Sequence, residues 1–219
     1  YKHTKTIDDF ITLIYKLTLR DAFENFLPLS SQVPLTVCAL GSYGREELCI
    51  YSDIDIMICY KELKGYNIKP IIEEILYASW DIGLKLGHRV HTISELQGAA
   101  NEDITIKSAM IESRFICGSR PLWFEIENEL NKIRKKDRKE FINAKIEELN
   151  ARRHKYTLSF EPNIKEGRGG LRDANTLFWI LNSIYGIKSL KDAPTSLINE
   201  DDYKEFKQSF ELLQKVRVI

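Results

Sequence analysis

Two rhythms of apolar residues run along the chain. In "DDFITLIYKLTLRDAFENFL", Phe10, Ile14 and Leu17 recur at three- and four-residue steps, which predicts an amphipathic helix packed on a sheet. Short apolar runs predict strands over Leu35 to Leu40, about Ile54 to Tyr60, and about Leu86 to Ile93. Between the last two, "KPIIEEILYASWDIG" has Pro70 suited to a first helical turn and Gly83 suited to its end. After Ser94 the pattern is helical almost throughout. "EDITIKSAMIESRFICG" carries Ile104, Ile111 and Phe115 on one helical face and stops at Gly118, and a long charged helix-prone stretch follows it. The loop "TLSFEPNIKEGRGGLRD" interrupts, and "RDANTLFWILNSIYG" resumes the helix. The expectation is an α/β half joined near Ser94 to Asp103 to an α-helical half. Trp80, Trp123 and Trp179 fall at helical apolar positions and read as core.

Composition narrows the class. The chain has 219 residues, 43% hydrophobic and 29% charged, with formal net charge zero, so it is an ordinary globular chain without a polyanion-binding excess. The basic run "KIRKKDRKE", Lys132 to Glu140, has acids interspersed and no aromatics, which marks a solvated helix face rather than a nucleic-acid site. No stretch approaches the roughly 20 apolar residues of a membrane span. The beginning, "YKHTKTIDDF", lacks a signal-peptide core, so the expected location is cytoplasmic. Cys38, Cys49, Cys59 and Cys117 form no CxxC pair and are expected to be reduced. A start at Tyr1 and an amphipathic run to Ile219 without a stop signal read as a fragment of a longer protein.

The chemistry concentrates in "LTVCALGSYGREELCIYSDIDIMICY". Asp53 and Asp55 interrupt an apolar strand, where an unpaired buried carboxylate is costly. Residues two apart on a strand share a face, roughly 6 to 7 Å apart, so both carboxylates can converge on one cation. That suits Mg²⁺, which takes a few carboxylates and completes its shell with phosphate oxygens. Ile54, Ile56 and Ile58 lie on the other face, available to a core. In the preceding turn, Gly41 and Gly44 permit tight geometry and Ser42 offers a hydroxyl and an N–H to an anion. If "REEL" opens a short helix, its free N–H groups face the same space. Arg45 is open to two readings, a phosphate clamp or an ion pair with Glu46, Glu47 or another acid.

A strand ending in Gly-Ser, a dozen residues, and then Asp-apolar-Asp-apolar resembles the nucleotidyltransferase motif of the DNA polymerase β superfamily. Four ordered segments, "GSYGREELCIYSDIDIMI", "SWDIGLKLGHRVHTISEL", "EDITIKSAMIESRFICG" and "SFEPNIKEGRGGLRDANTLFWI", resemble those of bacterial PII uridylyltransferases, the GlnD-type enzymes. The resemblance implies an α+β fold. A polymerase β-like nucleotidyltransferase domain with a mixed sheet and flanking helices would occupy residues 1–100. An α-helical domain at 101–219 would complete the cleft. It also implies transfer of UMP from UTP to a tyrosine of the PII regulatory protein, with Mg²⁺ or Mn²⁺ as cofactor and neither nucleic acid nor membrane as partner. Hydrolase and ACT domains would lie beyond Ile219.

In that reading Asp53 and Asp55 are catalytic and hold the metal, while Gly41, Ser42 and Arg45 contact the nucleotide. Asn163, Lys165 and Arg172, around Gly167, Gly169 and Gly170, would reach ribose or triphosphate. One departure stands out. The superfamily commonly has a third carboxylate on the neighbouring strand, and "LKLGHRVHTI" has no acid; Asp81, Glu95 and Asp103 lie near it in sequence only. His88 and His91, an odd number apart on a strand, face opposite ways, with His88 expected toward the cleft. The GRGGLRD element is also similar to one in glutamine synthetase adenylyltransferases. An adenylyltransferase, another nucleotidyltransferase on this scaffold, or a regulatory nucleotide-binding module with degenerate chemistry therefore stay open beside uridylyl transfer.

Overall fold

The isoleucine-rich strand at 54–60 sets the architecture, because it buries both faces over most of its length. In a computed structural model describing residues 2–65, 67–156 and 161–217, the chain forms two compact units, 1–133 and 134–219. In the first, α1 (Lys2–Ala22) leads to β1 (Leu35–Ala39), a single helical turn α2 (Gly41–Gly44), and β2 (Ile54–Tyr60). Then come α3 (Lys69–Asp81), β3 (Leu86–Thr92), α4 (Leu96–Glu102), α5 (Ile104–Ile111), β4 (Arg114–Gly118) and α6 (Arg120–Lys135), whose last residues pass into the second unit. The sheet order is β3-β2-β1-β4, with β1 antiparallel to both β2 and β4, and β2 parallel to β3. The fold is thus α+β with a mixed sheet, as the motif order implies.

Each sheet face has its own core. Ile54, Ile56 and Ile58 join Val37, Ile11, Ile14, Leu19, Ile72 and Ile75 beneath α1 and α3. Met57 and Cys59, on the opposite face, join Leu96, Met110, Trp123 and Ile126 from α4, α5 and α6. Three expectations need correction here. The buried stripe of α1 is Ile7, Ile11, Ile14, Tyr15 and Leu19, whereas Phe10 and Leu17 are exposed, so the helix is rotated from the one read in sequence. Helix α5 ends at Ile111, and Arg114–Gly118 is a strand on the sheet edge, where pairing with β1 overrides helical periodicity. Trp80 is exposed and lies edge-on against His88, while Trp123 and Trp179 are buried. With β4 and most of α6 in the first unit, the division between the two compact units falls after Ile133.

The second unit contains α7 (Arg138–Lys155), α8 (Leu171–Tyr185) and α9 (Glu200–Val216). Between α6 and α7 the backbone turns through Asp137, at φ 47°, which divides the basic run between two helices. The first four residues of the loop read as TLSF, 157–160, and the last two of the C-terminal run, 218–219, lie outside the described residues. No helix among the described residues is long and apolar enough to cross a membrane.

Candidate active site

Strand β2 is buried at every position except Asp55, and Asp53, just before the strand, is exposed as well. The two aspartates are therefore not buried charges in a core; they stand at the open end of an otherwise sealed strand. Neither carboxylate has a hydrogen-bond or ion-pair partner among the described residues. Asp55 is nevertheless ringed by protein. Burial and the charge of Asp53 push its carboxyl above the usual range, and Arg89 pulls the other way.

The glycine turn closes on this carboxylate. The Leu40 amide donates to the Asp55 carbonyl at 2.8 Å, so the chain leaves β1 directly beside β2. Gly41 then adopts φ +56°, and a Cβ built on it would lie 3.6 Å from Asp55 Oδ2. A Cβ on Gly87, which pairs with Asp55 across the parallel ladder, would lie only 2.5 Å from Asp55 Oδ1. Two glycines from separate elements thus make room for one carboxylate. The helical turn is Gly41–Gly44 itself, not a helix opened by "REEL"; Glu46 is left-handed at φ 63° and ends it. The first amides of such a turn have no carbonyl of that turn to bond, which leaves them for an anion.

Buried polar groups fix the turn from behind. Tyr43 donates its phenol proton to Asp8 of α1 at 2.7 Å, and Arg114 of β4 holds the same carboxylate through both terminal nitrogens at 2.9 and 3.0 Å. Burial first, and then the bond to Asp8, raise the Tyr43 phenol well above its ordinary value, so it stays a donor. Arg45 is also committed. Its Nε meets Glu47 at 2.8 Å and its Nη1 bonds Glu112, with Arg45 and Glu112 nearly buried and Glu47 partly exposed. The ion-pair reading of Arg45 fits this geometry, with Nε and Nη1 each bonded to a carboxylate. Glu112, which follows α5, was not singled out from the sequence. Its Oε2 lies 3.9 Å from the same constructed Gly41 Cβ, so an acid does approach the turn, but from a helix end and already paired with Arg45.

The other candidates take different places. Glu95 accepts from the Thr92 amide and closes a capping box, and Asp103 caps α5 through the Thr105 amide. His88 pairs with Ile56 in register and so lies on the α1 and α3 face, away from Asp55; the expectation that it faces the cleft is overturned by that register. His91 is on the Asp55 face, and its Nε2 is sealed from solvent without a partner.

In the second unit, Asn163 spends its side-chain oxygen on the Lys165 and Glu166 amides at 3.1 and 2.8 Å. Arg172 meets Glu166 at 3.5 Å and lies over the Trp179 ring. The Lys165 ammonium has no partner among the described residues. Asp173 organises this loop by accepting from Arg152 at 2.7 Å, Arg153 at 3.2 Å and the Gly169 amide at 3.1 Å. Burial alone would raise its carboxyl, but these bonds hold it below the ordinary value of 3.8. A depressed acid stabilises the fold fully above its unfolded value and loses that contribution as pH falls through its folded value. Asp173→Asn should therefore lower the melting temperature at about pH 6 and make progressively less difference below about pH 4. A gap that stays constant across that range would remove Asp173 as the ionic centre of the loop.

Residues 140–219 match the family model described as GlnD PII-uridylyltransferase. A bifunctional uridylyltransferase/uridylyl-removing enzyme of Ruegeria pomeroyi is 38% identical over 84% of the chain, and one of Cereibacter sphaeroides is 38% identical over 91%. The chain belongs to the GlnD-type uridylyltransferase family. A Bradyrhizobium diazoefficiens enzyme with the same name is 31% identical over 96% of the chain. The chain spans about a fifth of the length of these curated relatives, between 21% and 23%.

Proposed function

We propose that this chain carries the transfer site of a PII uridylyltransferase, moving UMP from UTP to a tyrosine hydroxyl of PII with release of pyrophosphate. The observation that carries the reading is the Gly41 turn closed against the Asp55 carboxylate, at which the charge of Asp53, two residues earlier, is felt. The two carboxylates fit a hard divalent cation, since both are solvent-accessible, free of protein partners and two residues apart. Mg²⁺ or Mn²⁺ bound there would supply charge neutralisation of the triphosphate. Asp53 and Asp55 would hold it, and the Gly41 and Ser42 amides and the Ser42 hydroxyl would orient the phosphate tail. Asp8, Tyr43 and Arg114 keep that turn in place, and Arg45 with Glu112 fixes its far side.

The test supplies α-labelled UTP or α-labelled ATP, with Mg²⁺, to the protein and PII from the same organism. Label on PII from UTP alone is expected. Label from ATP alone would turn the reading to adenylyl transfer, and UTP binding without any transfer would leave a regulatory nucleotide-binding module.

A further inference from the structure

On β3 the residues facing the same way as Asp55 are Gly87, Arg89 and His91, because the parallel register sets Asp55 beside Gly87 and Met57 beside Arg89. Gly87 is filled by the Asp55 carboxylate itself. Arg89, the next residue along this face, is half-buried, and its guanidinium has neither a hydrogen bond nor an ion pair among the described residues. Such a group carries five donors in a planar fork that matches phosphate oxygens. Desolvating part of it without a partner costs free energy that a ligand would return. The nearby aspartates do not pair with it, although its charge is felt at Asp55. Arg45, the arginine beside the glycine turn, is already committed to Glu47 and Glu112.

We infer that Arg89 is a binding residue for the phosphate chain of the nucleotide, a fixed cation on β3 beside the aspartate pair. This rests on the function proposed above. The competing role is a plain counter-ion that offsets repulsion between Asp53 and Asp55. The two roles differ in sign. Removing a counter-ion leaves the aspartates more attractive to a metal and does nothing to the nucleotide. Removing a phosphate contact weakens the nucleotide in proportion to the phosphates it carries.

Calorimetric titrations of the wild-type protein and of Arg89→Gln, Arg89→Ala and Arg89→Lys with Mn²⁺ alone, UTP in Mg²⁺, and UMP in Mg²⁺ separate them. For the Gln and Ala variants the Kd for UTP should rise about tenfold, with that for UMP changing much less and Mn²⁺ binding level or tighter. Lys, which keeps the charge without the fork, should fall between. Unchanged UTP binding in a variant that melts like wild type overturns the contact, as does equal weakening of UTP and UMP. If the wild type itself binds no UTP, the functional reading fails first and the contact falls with it.

Discussion

With Asp53 and Asp55 both changed to Asn, UMP transfer should fall by about 10³-fold or more, the loss expected when several kcal/mol of metal-derived charge stabilisation disappears. The melting temperature should stay level or rise. Burial and the adjacent Asp53 raise the Asp55 carboxyl, so at neutral pH its ionised form is less favoured in the folded chain than in the unfolded one. A neutral amide of the same shape removes that cost. The strand beneath is indifferent to the change, since Ile54, Ile56 and Ile58 hold it through the opposite face. Labelling of PII and a thermal melt on the same sample decide the matter. A stable variant that still transfers UMP would remove the metal site, and a collapsed one would make the carboxylates structural.

The largest effect on stability is expected at Gly44. A Cβ there would stand 2.2 Å from the Glu112 carbonyl oxygen and 3.2 Å from that of Ala39. Both obstacles are backbone, so no rotamer change relieves them. Gly44→Ala must push α2 away from the end of α5, at a cost of about 3 kcal/mol, the upper part of the range for overpacking. In a chain of this size that lowers the melting temperature of the first unit by roughly 6–12 °C. Gly44 is not at positive φ, so the cause is contact alone. A melting temperature within a degree or two of wild type would show that α2 can shift freely, which would also undo the case for a rigid phosphate turn.

The sequence made the β1-turn-β2 element legible because every signal there is local: an apolar run, two glycines, and aspartates spaced by two. The ends of β2 were read as Ile54 and Tyr60, the bounds the structure has. Other features depend on partners far along the chain. Arg45 meets Glu112 across 67 positions and Arg114 meets Asp8 across 106, so no window of sequence could show that the first is committed or that α1 braces the turn. β4 was missed for a related reason. Five residues after a helix carry little periodicity, and their strand character comes from pairing with β1. The rotated stripe of α1 has the same origin, since which of several apolar positions is buried depends on how the helix meets the sheet.

The division of labour along β2 has a consequence for accuracy. Its side chains alternate between isoleucines sunk under α1 and α3 and a row that begins with Asp55 at the open end. A slip of one residue against β1 would turn the whole row over, driving carboxylates into oil and three isoleucines toward the other layer. The greasy side of the strand thus proofreads the polar side: a misaligned site cannot persist, because the misalignment also unmakes the core that would have to support it.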